Sequence, residues 1–207
     1  MTGSTRHPHS GGPASIEPED LYRTRPPWDI GRPQPVFEAL ATAGAVRGRV
    51  LDVGCGTGEH AVMAAGLGLD ATGVDLAANA LRAAEDKAQV RGRTVRFLRY
   101  DARRLAELGE TFDIVLDCGL FHIFSGEDRT TYVEALRSVV PPGGRYFMLG
   151  FSDRQPGEYA VVHKLTRAEI EAAFADGWRV DSIEPSTIHI TTDPDGIRAW
   201  LVTLTRI

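Results

Sequence analysis

The chain has 207 residues, 43% of them hydrophobic and 25% charged, with a formal net charge of −5; that suits one domain, since domains run about 50–250 residues. No run of about 18 apolar residues occurs, which excludes a membrane-spanning helix, and the acidic balance argues against a general nucleic-acid binder. The two cysteines, Cys55 and Cys118, are too few for a disulfide framework or a four-thiolate zinc site, so no bound metal and a reducing, cytoplasmic setting are expected.

Residues 1–20 are rich in Ser, Gly and Pro and lack the apolar centre of a secretory signal, so they are expected to form a disordered tail. His7 and His9 fall inside it. From residue 34 the pattern becomes regular. Helical spacing over 34–43 puts Val36, Phe37 and Leu40 on one side. A short apolar run, 49–53, ends at glycines and predicts a buried strand, followed by an Ala-rich helix over 59–67. Strand 69–75 leads into a helix over 77–91 that Gly92 closes. Strand 94–100 precedes a short helix from Ala102. Strand 112–116 is followed by a helix over 129–140 that stops at Pro141-Pro142-Gly143-Gly144, and then by strand 145–151. Thr166 and Glu169 form a capping box that opens a helix over 167–175. Two last strands, 178–183 and 199–205, flank a loop containing Asp193-Pro194-Asp195-Gly196 and should pair antiparallel.

Short apolar strands alternating with helices imply a sheet covered on both faces. The fold class predicted is α/β: one three-layer domain with a seven-stranded, mostly parallel sheet and an antiparallel last strand. Ligands of such sheets bind beyond the carboxyl ends of the strands, so the residues near those ends are the candidates.

Past the first strand runs Asp52-Val53-Gly54-Cys55-Gly56-Thr57-Gly58, whose glycines permit positive φ and close backbone approach to a ligand. Gly56-Thr57-Gly58-Glu59-His60-Ala61 formally fits the dinucleotide fingerprint. Asp52 counts against that reading, because an acid beside a pyrophosphate repels it and beside a cationic ligand helps. Asp75, with Leu76, ends the second strand seventeen residues beyond Gly58, where a carboxylate can accept both ribose hydroxyls. After the third strand, Asp101 can accept from an adenine amino group while Ala102 offers its N–H. Asp117-Cys118-Gly119-Leu120-Phe121-His122 follows the fourth. The arginines at 91, 93, 96, 99, 103 and 104 are taken as a solvated surface and not as an RNA site.

In order and spacing, L51-D-V-G-C-G-T-G58, Asp75, Asp101-Ala102, F112-D-I-V-L-D117 and P141-P-G-G144 resemble the successive motifs of class I S-adenosylmethionine-dependent methyltransferases over residues 48–151. The resemblance implies a Rossmann-like methyltransferase fold with S-adenosylmethionine as cofactor. It places the methionine end on Asp52 and the glycine loop (Gly54, Cys55, Gly56, Gly58), the ribose on Asp75 and Leu76, and the adenine on Asp101 and Ala102, with Asp117 and Cys118 lining the methionine side.

The string Pro26-Pro27-Trp28-Asp29-Ile30-Gly31-Arg32-Pro33-Gln34-Pro35 resembles the P-W-D-x-G-R-x-x-P segment of the thiopurine, halide and thiol methyltransferase group, which closes over cofactor and acceptor. This divides the chain into the tail, a lid segment and helix over 21–46, and a cofactor-binding domain over 47–207. It also gives Trp28 a place against both ligands. Relatives of this layout methylate thiols, halides, chalcogen oxyanions and hydroxyquinolone-type heterocycles. The acceptor expected here is small: an O, N or S atom of an aromatic heterocycle, or a thiol. A halide or chalcogen acceptor and a non-catalytic binding module are the alternatives. His122 is the candidate catalytic base, since an imidazole titrates near neutral pH. Tyr22, Trp28, Phe121, His122, Tyr159 and His163 are the candidate substrate contacts, His60 is assigned to packing or cofactor support, and the enzyme is expected to be a monomer or homodimer.

Overall fold

The computed structural model describes residues 17–159 and 162–207. Seven strands form one sheet: β1 (Arg49–Val53), β2 (Asp70–Asp75), β3 (Arg96–Arg99), β4 (Ile114–Cys118), β5 (Arg145–Phe151), β6 (Trp178–Ile188) and β7 (Ile197–Arg206). Their spatial order is β3-β2-β1-β4-β5-β7-β6. The pairs among β1 to β5 are parallel, and β7 runs antiparallel to both β5 and β6. The helices are α1 (Pro35–Thr42), α2 (Glu59–Gly66), α3 (Ala78–Val90), α4 (Gly126–Val139) and α5 (Arg167–Ala173), with short 3₁₀ turns at Pro18–Tyr22, Ala102–Leu108 and Phe121–Ile123.

The central strands are apolar almost throughout because both faces are covered, and alternate residues feed two separate cores. Leu51, Val53, Val115, Tyr146 and Met148 face α4 and α5. Val50, Ile114, Leu116, Phe147 and Leu149 face α1 and α2. The strand order reverses between β1 and β4, which sets the ligand crevice at their carboxyl ends.

Several boundaries differ from the sequence reading, and three of the shifts have a clear physical cause. β4 runs on to Cys118, taking Asp117 into the sheet, because Tyr132 and Tyr146 donate to its carboxylate there. α4 starts at Gly126, with Glu127 and Asp128 in its first turn, where the helix dipole favours acids. β6 continues to Ile188 through Pro185, which an edge strand tolerates. The capping box forms as expected: Thr166 Oγ1 accepts from Glu169 N at 3.1 Å, and Glu169 Oε2 accepts from Thr166 N at 2.8 Å. Of the predicted tail, residues 1–16, with His7 and His9, lie outside the described residues. Residues 18–20 belong to the turn Pro18–Tyr22, whose start carries a proline suited to a first helical position.

Candidate active site

The carboxyl ends of β1 and β2 build one half of the crevice. Gly54, Gly56 and Gly58 all have positive φ, at 65°, 52° and 77°. A Cβ on Gly56 would lie 2.7 Å from Tyr22 Oη, and one on Gly54 would lie 3.0 Å from Leu120. The loop therefore presents bare backbone with side chains closing in from outside. Asp75 Oδ2 accepts from Gly56 N at 2.8 Å and Oδ1 from Ala77 N at 2.9 Å. Burial raises the Asp75 pKa against the pull of those amides. Tyr22 covers this corner: burial first, then the Asp75 charge, pushes its hydroxyl pKa up. Trp28 packs edge-on against Tyr22 at 6.3 Å between ring centres and stays 43% exposed.

The segment from Arg25 to Gln34 forms a strap tied down at several points. Asp29 Oδ2 accepts from Thr57 Oγ1 at 2.9 Å, Pro27 O accepts from Thr191 N at 2.8 Å, and the Gln34 amide bonds both backbone groups of His189. His60 Nε2 accepts from Gln34 N at 3.2 Å, while Asp52 stands 3.8 Å from Nδ1. Burial lowers the His60 pKa to about 4 and raises that of Asp52 to about 7, so both groups are drawn toward their neutral forms. Asp52 is itself buried and spends Oδ2 on Ala61 N at 3.0 Å. It fixes the start of α2 beneath the glycine loop.

The other half of the crevice is built around the end of β4. Asp117 has no exposed surface and accepts from Tyr132 Oη, Tyr146 Oη, Leu120 N and Phe121 N. Four internal donors leave it nothing to offer a ligand. Phe121 is likewise fully buried, stacked on Phe174 at 5.4 Å, and is a core residue because its 3₁₀ turn points it under α4. His163, exposed, pairs its Nε2 with Glu169 Oε1 on α5 at 2.6 Å.

His122 is 5% exposed, and its Nδ1 accepts from Phe151 N at 3.1 Å. Burial lowers its pKa to about 3. A neutral ring whose Nδ1 is occupied carries its proton on Nε2, which makes that nitrogen a hydrogen-bond donor. Its Cε1 and Nε2 lie 3.3 and 3.6 Å from where a Gly119 Cβ would stand, at the end of β4. Phe151 links His122 (4.7 Å between ring centres) to Tyr159 (5.2 Å), forming an aromatic wall. Cys118, half-buried with its thiol pKa pushed up by burial, lies behind it. A cleft of about 220 Å³ runs between the strap and α3, bounded by Tyr22, Arg25, Asp29, Thr57 and Asn79. A larger hollow of about 440 Å³, around Arg47, Asp113 and Arg145, lies at the opposite ends of the strands, away from this chemistry.

Residues 50–144 match a family model described as a methyltransferase domain. Over 178 residues, 85% of this chain and 78% of the relative, the chain is 34% identical to a 2-heptyl-1-hydroxyquinolin-4(1H)-one methyltransferase of Mycobacteroides abscessus. This chain belongs to the class I S-adenosylmethionine-dependent methyltransferases. A probable thiol methyltransferase of Arabidopsis thaliana is 30% identical over 128 residues, 60% of this chain and 56% of that one. A solved structure from work on the conversion of a disulfide bond into a thioacetal group during echinomycin biosynthesis has 36% identity and a TM-score of 0.81, covering 91% of both chains. The magnesium protoporphyrin IX methyltransferase of Synechocystis, solved with bound S-adenosylmethionine, shares the fold at a TM-score of 0.65 and 21% identity, covering 84% of this chain and 77% of that one.

The methyltransferase's own residues fit that cofactor. Gly54 and Gly56 form a cradle that any Cβ would obstruct. Asp75, at the last position of β2, keeps two of its four acceptor sites after binding Gly56 and Ala77, as many as two ribose hydroxyls require. Leu76 lies next to it, 39% exposed, as an apolar surface for the nucleoside. Asp101 is clamped by three donors of Arg103 and retains one site; Ala102 beside it is buried. Sequence reasoning missed Asp29, Thr57 and Lys87, although Asp29 sits inside the proline-tryptophan string and Lys87 is one of two lysines. The arginines read as a solvated surface are engaged: Arg91, Arg96, Arg99, Arg103 and Arg104 each meet a carboxylate.

Proposed function

We propose that this methyltransferase acts on a small aromatic heterocycle whose acceptor atom is already nucleophilic near neutral pH, in the first place an acidic ring hydroxyl. Bound S-adenosylmethionine supplies an electrophilic methyl group on a sulfonium. The protein's task is then to align the acceptor and exclude water. The observation that carries the reading is the state of His122: Nδ1 engaged by Phe151 N, the ring held neutral, the proton on Nε2. Such a ring orients an acceptor by donating a hydrogen bond and takes no proton from it. A simple phenol, with a pKa of about 10, needs a base for its proton; an acidic hydroxyl arrives ionised. The aromatic surfaces of Tyr22, Trp28, Phe151 and Tyr159 suit a flat ring. The Mycobacteroides relative, named for a 1-hydroxyquinolinone, supports the same class.

A sulfur acceptor is the second reading, favoured by the thiol methyltransferase and thioacetal relatives, because a thiol with a pKa of about 8.5 supplies thiolate unaided. The test is transfer of labelled methyl across hydroxyquinolones, phenols, thiols and iodide, with kcat/KM followed against pH. The expected rate with a hydroxyl acceptor tracks that acceptor's own pKa, and simple phenols react at least about a hundredfold more slowly. A limb at one fixed pH for acceptors of differing acidity would belong to a protein base and would refute the reading.

A further inference from the structure

Away from the reacting end, a chain of polar contacts joins the strap to the glycine loop. Lys87, on α3 and 18% exposed, directs its ammonium at the Thr57 carbonyl (2.7 Å), Thr57 Oγ1 (2.9 Å) and Glu59 Oε1 (2.7 Å). With Lys87 donating into its lone pair, the Thr57 hydroxyl spends its one proton on Asp29 Oδ2, 2.9 Å away. Asp29 organises the strap in turn. Its Oδ1 accepts from Gly31 N at 3.0 Å, and its carbonyl accepts from Arg25 Nε at 2.8 Å. A parallel connection runs through Arg91, just past the end of α3, which bonds Glu59 at 2.8 Å and the Gly31 carbonyl at 3.3 Å.

The position of Thr57 gives this chain its consequence. It stands between Gly56 and Gly58, both at positive φ and without side chains to pack, so beyond the backbone bonds Cys55 N to Val74 O (2.9 Å) and Gly58 N to Cys55 O (2.8 Å) and the Gly56 N bond to Asp75, Thr57 carries the loop's side-chain anchoring. Whatever fixes Thr57 also aims Gly56 N, the donor to Asp75. The same hydroxyl is the strap's direct side-chain link to that loop among the described residues.

We propose that Asp29, Thr57 and Lys87 are positioning residues that couple the strap to the cofactor loop, so that cofactor capture and strap closure are one event. A loop held in its binding shape holds the strap down, and a strap held down keeps the loop in that shape. The inference depends on the cofactor site and not on the acceptor, so it and the acceptor reading fail separately.

Thr57→Val removes the hydroxyl at nearly constant shape, and Thr57→Ser restores it. Titration calorimetry with S-adenosylmethionine should show Thr57→Val binding about tenfold more weakly, the worth of roughly one hydrogen bond to a charged group, and Thr57→Ser recovering most of that loss. Hydrogen exchange across residues 28–32 should slow on cofactor addition in wild type and Thr57→Ser, and stay fast in Thr57→Val. Adding Asp29→Asn to Thr57→Val should cost little more, because the two side chains share one bond. Cofactor affinity within twofold of wild type in Thr57→Val, no recovery with Ser, or additive losses in the double variant would each overturn the proposal. Lys87→Met, which keeps the aliphatic stem, provides the same readouts if Thr57→Val does not fold.

Discussion

In an Asp117→Asn chain, one carboxylate oxygen becomes an NH₂ group surrounded by donors. Tyr132 Oη (2.8 Å) and Tyr146 Oη (2.7 Å) both point at Oδ2, and Leu120 N (2.9 Å) points at Oδ1. Neither orientation of the amide satisfies all of them. With nitrogen toward the tyrosines, their hydroxyls can turn to accept, but their own protons are then left unpaired between fully buried rings. With nitrogen toward the backbone, Leu120 N loses its acceptor. One to two bonds to a buried acceptor are forfeited at about 1.5–3 kcal/mol each, so a loss of about 3 kcal/mol is expected. For a domain of this size that lowers Tm by roughly 6–12 °C. Circular-dichroism melts measure the loss, and calorimetric titration with S-adenosylmethionine at 15 °C, where the variant is folded, measures binding. Affinity should stay within about twofold of wild type, since the carboxylate has no surface in the crevice. A variant that melts like wild type but binds cofactor tenfold more weakly would put Asp117 back in the cofactor site and refute the argument.

Other substitutions separate the remaining roles. Asp75→Ala removes an acceptor for two backbone amides and for the ribose, and should weaken S-adenosylmethionine binding by about a hundredfold or more in the same titration; unchanged affinity would defeat the ribose assignment. Gly56→Ala and Gly44→Ala both force alanine into positive φ, at about 1–2 kcal/mol. Only the first also collides, with Tyr22, so cofactor affinity should fall in Gly56→Ala alone while both variants lose stability in urea melts. His122→Asn keeps an acceptor near Phe151 N and deletes a titrating group. The folded pKa of His122, about 3, lies below its unfolded value of about 6.5, so between those limits the unfolded chain binds the extra proton and acid destabilises the fold. From pH 6 to 4, wild type should therefore lose about 1.4 kcal/mol per pH unit more than His122→Asn, and parallel stability profiles would show that the ring is not held neutral.

Most of the fold was legible because each central strand is an apolar run between punctuation that admits no alternative. Arg49–Val53 ends at glycines, and α4 runs into Pro141-Pro142-Gly143-Gly144. Where the sequence reading went astray, tertiary contacts outweighed local signals. The sequence reading ends this strand at 183, yet β6 runs on through Pro185 because it is an edge strand, where a residue without an N–H is tolerated. Phe121 and His122 are adjacent in an aromatic stretch that resembles a pocket wall. The turn at Phe121–Ile123 sends the phenyl ring into the core, and the imidazole lies against Gly119 and Phe151. Nothing in the local sequence distinguishes those two directions.

The acids at the strand ends show what the motif pattern contains and what it leaves out. Asp52, Asp75 and Asp117 each stand beside a turn, and the methyltransferase resemblance implies a cofactor role for each. Their depth differs by one residue. Asp52 and Asp117 are the penultimate residues of β1 and β4, where neighbouring strands and the next helix enclose them, and they are 1% and 0% exposed. Asp75 is the last residue of β2 and remains half-buried. An ionisable group enclosed by a sheet must satisfy itself internally: Asp117 does so with tyrosine hydroxyls and two amides, Asp52 with an α2 amide and a raised pKa. Each then acts on the crevice only through the backbone it organises. Of these three acids, Asp75 alone keeps exposed surface at its strand end, while Asp52 sets the start of α2 and Asp117 sets the turn that carries Leu120 over Gly54.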